Sequence, residues 1–405
     1  MKLFDDVIRT EQRPKKNCEP LFNYYNISAR SPVAGIRELL DGWFQRLPES
    51  ARADIRSRFR SPINSHHHGA FFELYLHELL SSIGFRVTPH PEMPNGILTC
   101  PDFVVSKDGQ QLFYLEATLV SPSQEETASQ ARIAQVYDTL NQVKSPNFFL
   151  EITDWGAPAT PPPGTKLRQD LEQWLSTLHP DKLGERLEST DWSHDGWHIS
   201  FRAIIKPPEL RGQPDVKPIG ISGPAEFSQV DSHVSIAKAT SAKATRYGNL
   251  HLPFVVAVNV INEFTDTRDV MNGLLGEETI IHIRRQDGTV GQKEDRNRDG
   301  AWVGPDGPKN RGVSAALIAL NLTPWNIATQ TPEMIHNPWT TKPLTADLWP
   351  FHQWIPNPRD RQLKRQSGQN TDMVLDLPSP WPFPEEPQLS ATEVAVYGTK
   401  ASPLG

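Results

Sequence analysis

The chain of 405 residues predicts an α/β fold, on three observations. Windows with apolar residues at helical spacing succeed windows in which apolar residues alternate or run continuously, the mark of helices and strands taking turns. An Asp108-Gly109 pair joins two of the strand-like runs, the chemistry of a tight hairpin turn. Finally, 37% apolar and 22% charged residues, with 11 Trp and 17 Phe, describe a chain that buries a core. The 37 Pro and 25 Gly imply many turns and long connections.

Taken in order, Ile36, Leu39, Leu40, Trp43 and Phe44 fall on one helix face, which Pro48 ends. Glu49 to Arg60 reads as a second helix with Arg52, Arg56 and Arg60 in one basic stripe, able to track phosphates or simply to face solvent. The run His66 to His68 is expected to form a polar loop leading into a helix over 69–84, whose Phe72, Leu76, Leu79, Leu80 and Ile83 share a face and which Gly84 stops. Three strands follow, over 85–91, 100–107 and 111–120, with Pro94, Asn95 and Gly96 between the first two. A helix over 125–143, carrying Ile133, Val136, Leu140 and Val143, and a strand over 147–155 complete an α-β-β-β-α-β order. Beyond the Pro-rich stretch 156–165 come a helix over 167–178, a strand over 197–207, and an α-β-α set at 234–250, 253–261 and 267–276. Residues 284–312 read as loop and 313–322 as a short apolar strand. The expected divisions are an N-terminal helical segment 1–65, an α/β domain 66–290 with its core in 66–155, a loop-rich C-terminal subdomain 291–375 and a Pro-rich tail 376–405.

Net charge is −7, so no global basic field draws this chain to polyanions, and any such partner must meet a local patch. Residues 1–65 hold 12 Lys/Arg against 8 Asp/Glu, a local +4. Cys18 and Cys100 have no ligand spacing, which excludes a disulfide framework and a zinc ribbon. The first residues carry acids where a signal peptide places its apolar region, and no apolar run reaches membrane-spanning length. A cytoplasmic protein with no membrane partner is expected. No P-loop, dinucleotide-type Gly loop, GxSxG or HExxH is present, which removes the common ATPase, dehydrogenase, esterase and metalloprotease readings.

Three acids interrupt apolar runs: Glu73 beside Phe72 and Leu74, Asp102 beside Phe103, and Glu116 between Leu115 and Ala117. A carboxylate in such company is costly to bury unless it is paired or binds a cation. The Asp108-Gly109 turn makes Asp102 and Glu116 cross-strand neighbours, and adjacent carboxylates repel. Mg²⁺ resolves that repulsion, because it takes one or two protein carboxylates together with waters and phosphate oxygens. Such an ion polarises a phosphodiester and lowers the pKa of its bound water.

Gly69-x-x-x-Glu73, Gly84-Phe85, Pro101-Asp102-Phe103 and Leu115-Glu116-Ala117-Thr118, in that order on those elements, resemble the PD-(D/E)XK, or restriction-endonuclease-like, nuclease superfamily. The resemblance covers roughly residues 65–155. It implies a restriction-endonuclease-like α-β-β-β-α-β core with an N-terminal helical segment and a large loop-rich C-terminal region. It further implies a Mg²⁺-dependent endonuclease, with Mn²⁺ as the alternative ion, in which Glu73, Asp102 and Glu116 hold the metal. The chain departs from the family at the motif lysine, where Thr118 stands on the Glu116 face of the strand. Threonine positions a water but supplies no charge. Lys144, Lys107, Lys238 and Lys243 are the candidates to replace the lysine from elsewhere.

Thr118 is therefore grouped with the three acids as catalytic, and Arg132, Lys144, Lys238 and Lys243 as nucleic-acid-binding, with Gln130, Gln135 and Arg246 as further polar candidates. Trp302, Trp325, Trp339, Trp349 and Trp354 either stack on bases or, more often for such residues, pack an irregular region. The expected partner is nucleic acid, DNA ahead of RNA, with a homodimer allowed. Two other readings stay open: an inactive nuclease-like module that binds nucleic acid or protein, and a metal-dependent hydrolase of a small phosphate ester.

Overall fold

Apolar spacing in the first 82 residues folds as four helices, α1 (Leu21–Ile27), α2 (Ser31–Arg46), α3 (Glu49–Phe59) and α4 (Asn64–Ser82), in a computed structural model. It describes residues 1–93, 99–121, 124–156, 160–183, 188–213, 216–221, 232–262, 264–284 and 290–382. Helix α2 buries Ile36, Leu40, Trp43 and Phe44, and α3 buries Ile55 and Phe59. Helix α4 starts earlier than the sequence suggests, so His66 to His68 lie in its first turns. His67 explains the extension: its ring stacks on Tyr25, packs on Phe59, and places Nδ1 2.7 Å from the Phe59 carbonyl oxygen, which gives the neutral imidazole a buried seat. Gly84, at φ +88°, ends α4, and the Phe85 N–H donates to the Leu80 carbonyl.

The strands β1 (Arg86–Pro89), β2 (Phe103–Lys107) and β3 (Gln110–Val120) form an antiparallel meander. Asp108 and Gly109 take φ values of +51° and +80°, which is how a two-residue turn matches the twist of its strands. The loop at Pro94, Asn95 and Gly96 lies outside the described residues. Next come α5 (Gln124–Leu140), β4 (Phe148–Gly156), α6 (Gly164–Ser176), α7 (Pro180–Leu183), β5 (Glu188–His194), β6 (Trp197–Ile205) and β7 (Ile219–Ile221). The chain continues with α8 (Ser232–Ala244), β8 (Phe254–Val260), α9 (Thr267–Leu275), β9 (Glu278–Arg284), β10 (Val290–Arg296), β11 (Val303–Gly304) and β12 (Gly307–Pro308). The last elements are β13 (Ala315–Leu320), β14 (Glu333–His336), β15 (Gln353–Pro356), β16 (Leu363–Gln366) and α10 (Asp372–Leu375).

Two units emerge. The first comprises Met1–Arg13, Pro20–Ser121 and Asp231–Glu385, the second Pro14–Glu19, Pro122–Val230 and Glu386–Gly405. The first holds an eight-stranded mixed sheet in the order β1-β2-β3-β8-β13-β14-β15-β16, with β3, β8 and β13 parallel. One face of this sheet packs on α4 through residues such as Val105, Leu115, Val255 and Leu317. The other packs on α8 and α9 through Tyr114, Val256, Val258, Ile236 and Leu274. The second unit holds a four-stranded sheet, β5-β6-β4-β7, over which α5 and α6 lay Val136, Leu140, Leu167 and Leu171.

The α/β class stands, and its element assignment needs a correction. The strand expected at 147–155 to complete the first sheet belongs to the second unit, and the parallel neighbour of β3 is β8, preceded by α8. Burial decides between them. All seven residues of β8 are buried, as a strand between two helical layers requires, whereas β4 alternates buried and half-buried positions, as a strand covered on one face does. The units also cut across the expected divisions. Residues 1–13 and α1–α3 share a core with α4, and β13 to β16 extend the main sheet instead of forming a separate loop-rich subdomain. Of the tail, residues 383–405 lie outside the described part. No helix among the described residues is long and apolar enough to cross a membrane.

Candidate functional site

Asp102 immediately precedes β2 and faces Glu116 of β3, as the hairpin register requires. The Asp102 N–H donates to Glu116 Oε2 at 3.2 Å, and the Ala117 N–H donates to Asp102 Oδ2 at 2.8 Å, so Glu116 is tied to the Asp102 backbone and Asp102 to the backbone of the residue after Glu116. Glu73 approaches from α4, in the opposite layer from α8. Burial, then the neighbouring Glu73 and Glu116 carboxylates, push the Asp102 carboxyl up to about 7, against the opposing pull of the Ala117 N–H and Lys243. The three sequence-predicted acids therefore share one electrostatic neighbourhood, drawn from three elements of the first unit.

A lysine reaches Glu116 from α8. Lys243 donates through Nζ to Glu116 Oε1 at 2.7 Å, and Tyr247, four residues on, donates its hydroxyl to Glu116 Oε2 at 2.7 Å. Arg246 adds Nη1 at 3.5 Å from Oε1. Glu116 is 2% exposed, so these contacts supply the compensation its burial demands. Burial and the adjoining carboxylate raise the Tyr247 pKa, which keeps the phenol a donor.

Glu73 has its own cation. Arg58 of α3 donates Nη1 to Oε1 and Nη2 to Oε2, both at 2.7 Å, and turns Nε and Nη2 toward Asp54 Oδ2 at 2.9 and 2.6 Å. Burial alone lowers the Arg58 pKa, but the pairing with Glu73 and Asp54 outweighs it and the net shift is upward. Among the described residues no three His, Cys, Asp or Glu side chains are arranged as a ready-made metal-binding set.

Other expectations meet a different outcome. Thr118 is half-buried on β3 opposite Val258, and strand alternation puts it on the Glu116 face. Lys238 is exposed on α8 and makes no described contact with the acids. Arg132 and Lys144 belong to the second unit. The basic stripe of α3 is consumed within the fold: Arg52 donates to the Leu47 and Gln45 carbonyls, Arg56 to Lys2, and Arg60 to Leu3 and Asp5. The five tryptophans pack: Trp302 and Trp349 are buried, and Trp325, Trp339 and Trp354 lie against the two cores. Arg58 went unread in the sequence, where its only signal is an Asp54 one turn earlier. Comparison of the chain with family models, with curated proteins and with solved structures finds no match.

Proposed function

We propose that the first unit is a metal-dependent nuclease that hydrolyses phosphodiester bonds, with DNA ahead of RNA, on a PD-(D/E)XK core interrupted by residues 122–230. In this reading the core runs α4-β1-β2-β3, passes through the insertion, and resumes with α8-β8. The observation that carries it is Lys243: an ammonium group delivered from α8 to the acid pair, where the sequence motif has Thr118.

Such a nuclease would draw on an oxygen-only set for a hard divalent cation such as Mg²⁺, in which Glu73 and Glu116 raise the proton affinity of Asp102. Asp102 and Glu116 would hold it with Glu73, and it would supply polarisation of the phosphodiester and acidification of a water. Lys243 offers its remaining N–H groups to a water or phosphate oxygen next to the acids, stabilising charge that develops there. Tyr247 fixes the second oxygen of Glu116 and so holds the carboxylate in place while Lys243 acts.

One observation favours a second reading, a nuclease-like module that binds without cleaving. Both oxygens of Glu73 and of Glu116 already have protein donors, which is how an acid cluster without a metal is neutralised. Incubating the protein and its Glu116→Ala variant with circular DNA, linear DNA and RNA, in Mg²⁺, Mn²⁺ or EDTA, separates the two. Cleavage that needs metal and vanishes in the variant supports the nuclease. Nucleic-acid binding that weakens with salt but never leads to cleavage supports the module.

A further inference from the structure

We propose that the end of the eight-stranded sheet opposite Asp102 is a second surface for nucleic acid, one that grips the phosphate backbone with side-chain cations alone. It rests on the nucleic-acid partner proposed above, and needs neither cleavage nor the acid cluster. Topology sorts the charges. Because β3, β8 and β13 run one way and β2, β14 and β15 the other, the connections 108–109, 245–253, 309–314 and 357–362 gather at one end of the sheet, and 90–102, 261–266, 321–332 and 367–371 at the other. Segment 337–342, which leaves β14, joins the first end, since Lys342 Nζ donates to Asn249 Oδ1 at 2.9 Å and to the Leu250 carbonyl. The first end holds six Lys/Arg and two Asp in these segments, whereas the second holds four Asp/Glu and neither Lys nor Arg, in a chain of net charge −7. Arg246 is spent on Glu116, but Lys107, which closes β2, and Lys364 of β16 add to the basic end.

Lys107, Arg311, Lys342, Arg359, Arg361 and Lys364 have no acid partner among the described residues, and all but the half-buried Lys342 are exposed. Their positions form a row from β2 to β16, six strand spacings along the sheet and therefore roughly 29 Å. That is the rise of about eight nucleotides in one strand of a duplex, so the row can follow a phosphate backbone. Arg311 is braced by donating Nε to the Trp339 carbonyl at 3.0 Å, which leaves its Nη atoms to point elsewhere, and the exposed Thr341 and Gln362 add uncharged donors of the kind phosphate contacts use. The chemistry also selects against other acidic partners. A protein interface needs an apolar or aromatic core and a membrane surface needs apolar anchors, yet among the described residues none of the exposed large hydrophobic side chains lies in the connections of this end.

Fluorescence anisotropy of labelled DNA and RNA with the full-length protein, in EDTA and across a salt series, tests this. The triple variant Lys107→Gln, Arg359→Gln, Lys364→Gln should bind at least about tenfold more weakly than the parent and lower the slope of log Kd against log salt by about 2.7, three phosphate contacts being lost. A control with the same change in net charge, Lys166→Gln, Lys182→Gln, Lys217→Gln on exposed lysines of the second unit, should bind like the parent, and unfolding temperatures confirm that both triples are folded. Equal weakening by the two triples would assign binding to overall charge and overturn the proposal. An unchanged slope in the first triple would overturn it too, while leaving the acid-site readings intact. Capture of polyglutamate or anionic vesicles by a parent that ignores DNA and RNA would overturn it in favour of the other partner. Failure of the parent to bind any of these probes would remove this surface, whereas binding without cleavage would remove only the nuclease.

Discussion

Lys243 reaches Glu116 across 127 positions of sequence, and in the proposed nuclease its single charge is the one that acts beside the acids. Lys243→Met should lower metal-dependent cleavage by about 10²-fold or more while nucleic-acid affinity changes little, measured as kcat against Kd. At this scale the acids were legible, because carboxylates that interrupt apolar runs need an explanation. The lysine was legible only as one of four candidates, since no local pattern encodes a contact of that range. Arg58 left no local mark beyond a helical ion pair. The histidines of α4 give the clearest pH behaviour. Burial, first of all, lowers the pKa of His67 to about 3 and of His68 to about 4, so the folded chain refuses protons that the unfolded chain accepts near 6.5. Their stabilisation is complete above about 6.5 and is lost as pH falls toward 4, each contributing a slope of up to about 1.4 kcal/mol per pH unit. Asp102 runs the other way over part of that range, since its raised pKa favours the folded state below 3.8 and ceases to as pH rises through about 7. His67→Phe should therefore flatten the acid limb, checked by comparing urea midpoints for parent and variant at pH 5 and pH 8.

Among the elements, β8 teaches how pairing choices are read. Its continuous apolar run announces burial on both faces, and the alternation of 147–155 announces burial on one, so the signal that β8 belongs beside β3 was present in the sequence. Adjacency along the chain conceals it, because 147–155 is the nearer strand in sequence. Glycines sort the same way. Gly69 begins the motif that suggested a nuclease, yet a Cβ there meets only ordinary contacts, Leu119 Cδ1 at 3.8 Å and Arg58 Nη1 at 3.9 Å. Gly69→Ala should stay as stable as the parent or gain up to about 1 kcal/mol in thermal unfolding, by helix propensity. At Gly276, which has φ +100° and lies between α9 and β9, an added Cβ would collide with the Asn297 carbonyl oxygen. Gly276→Ala should cost about 3 kcal/mol or more, read from the same unfolding curves.

For the molecule as a whole, residues 122–230 interrupt the chain of the first unit between β3 and α8, beside the C-terminal ends of the neighbouring inner strands β3 and β8. The Ile261 N–H donates to the Val120 carbonyl, and Asn262 donates to the Ser232 hydroxyl, so the chain leaves and re-enters the first unit at the same place. Replacing residues 122–230 by a short Gly-Ser linker should therefore leave a cooperative α/β unit, checked by circular dichroism and a single thermal transition. The fold class was legible from periodicity, while the division into units was not, because it depends on which distant segments meet.

That interruption gives the site a history in time. A ribosome adding about 5–20 residues per second releases Glu116 roughly 6–25 seconds before Lys243. Throughout that interval one edge of β3 has no neighbour and its acid has no ammonium partner. Residues 122–230 are synthesised inside the same window, so the nascent chain holds an open strand edge longest beside Glu116, the acid that Lys243 later joins.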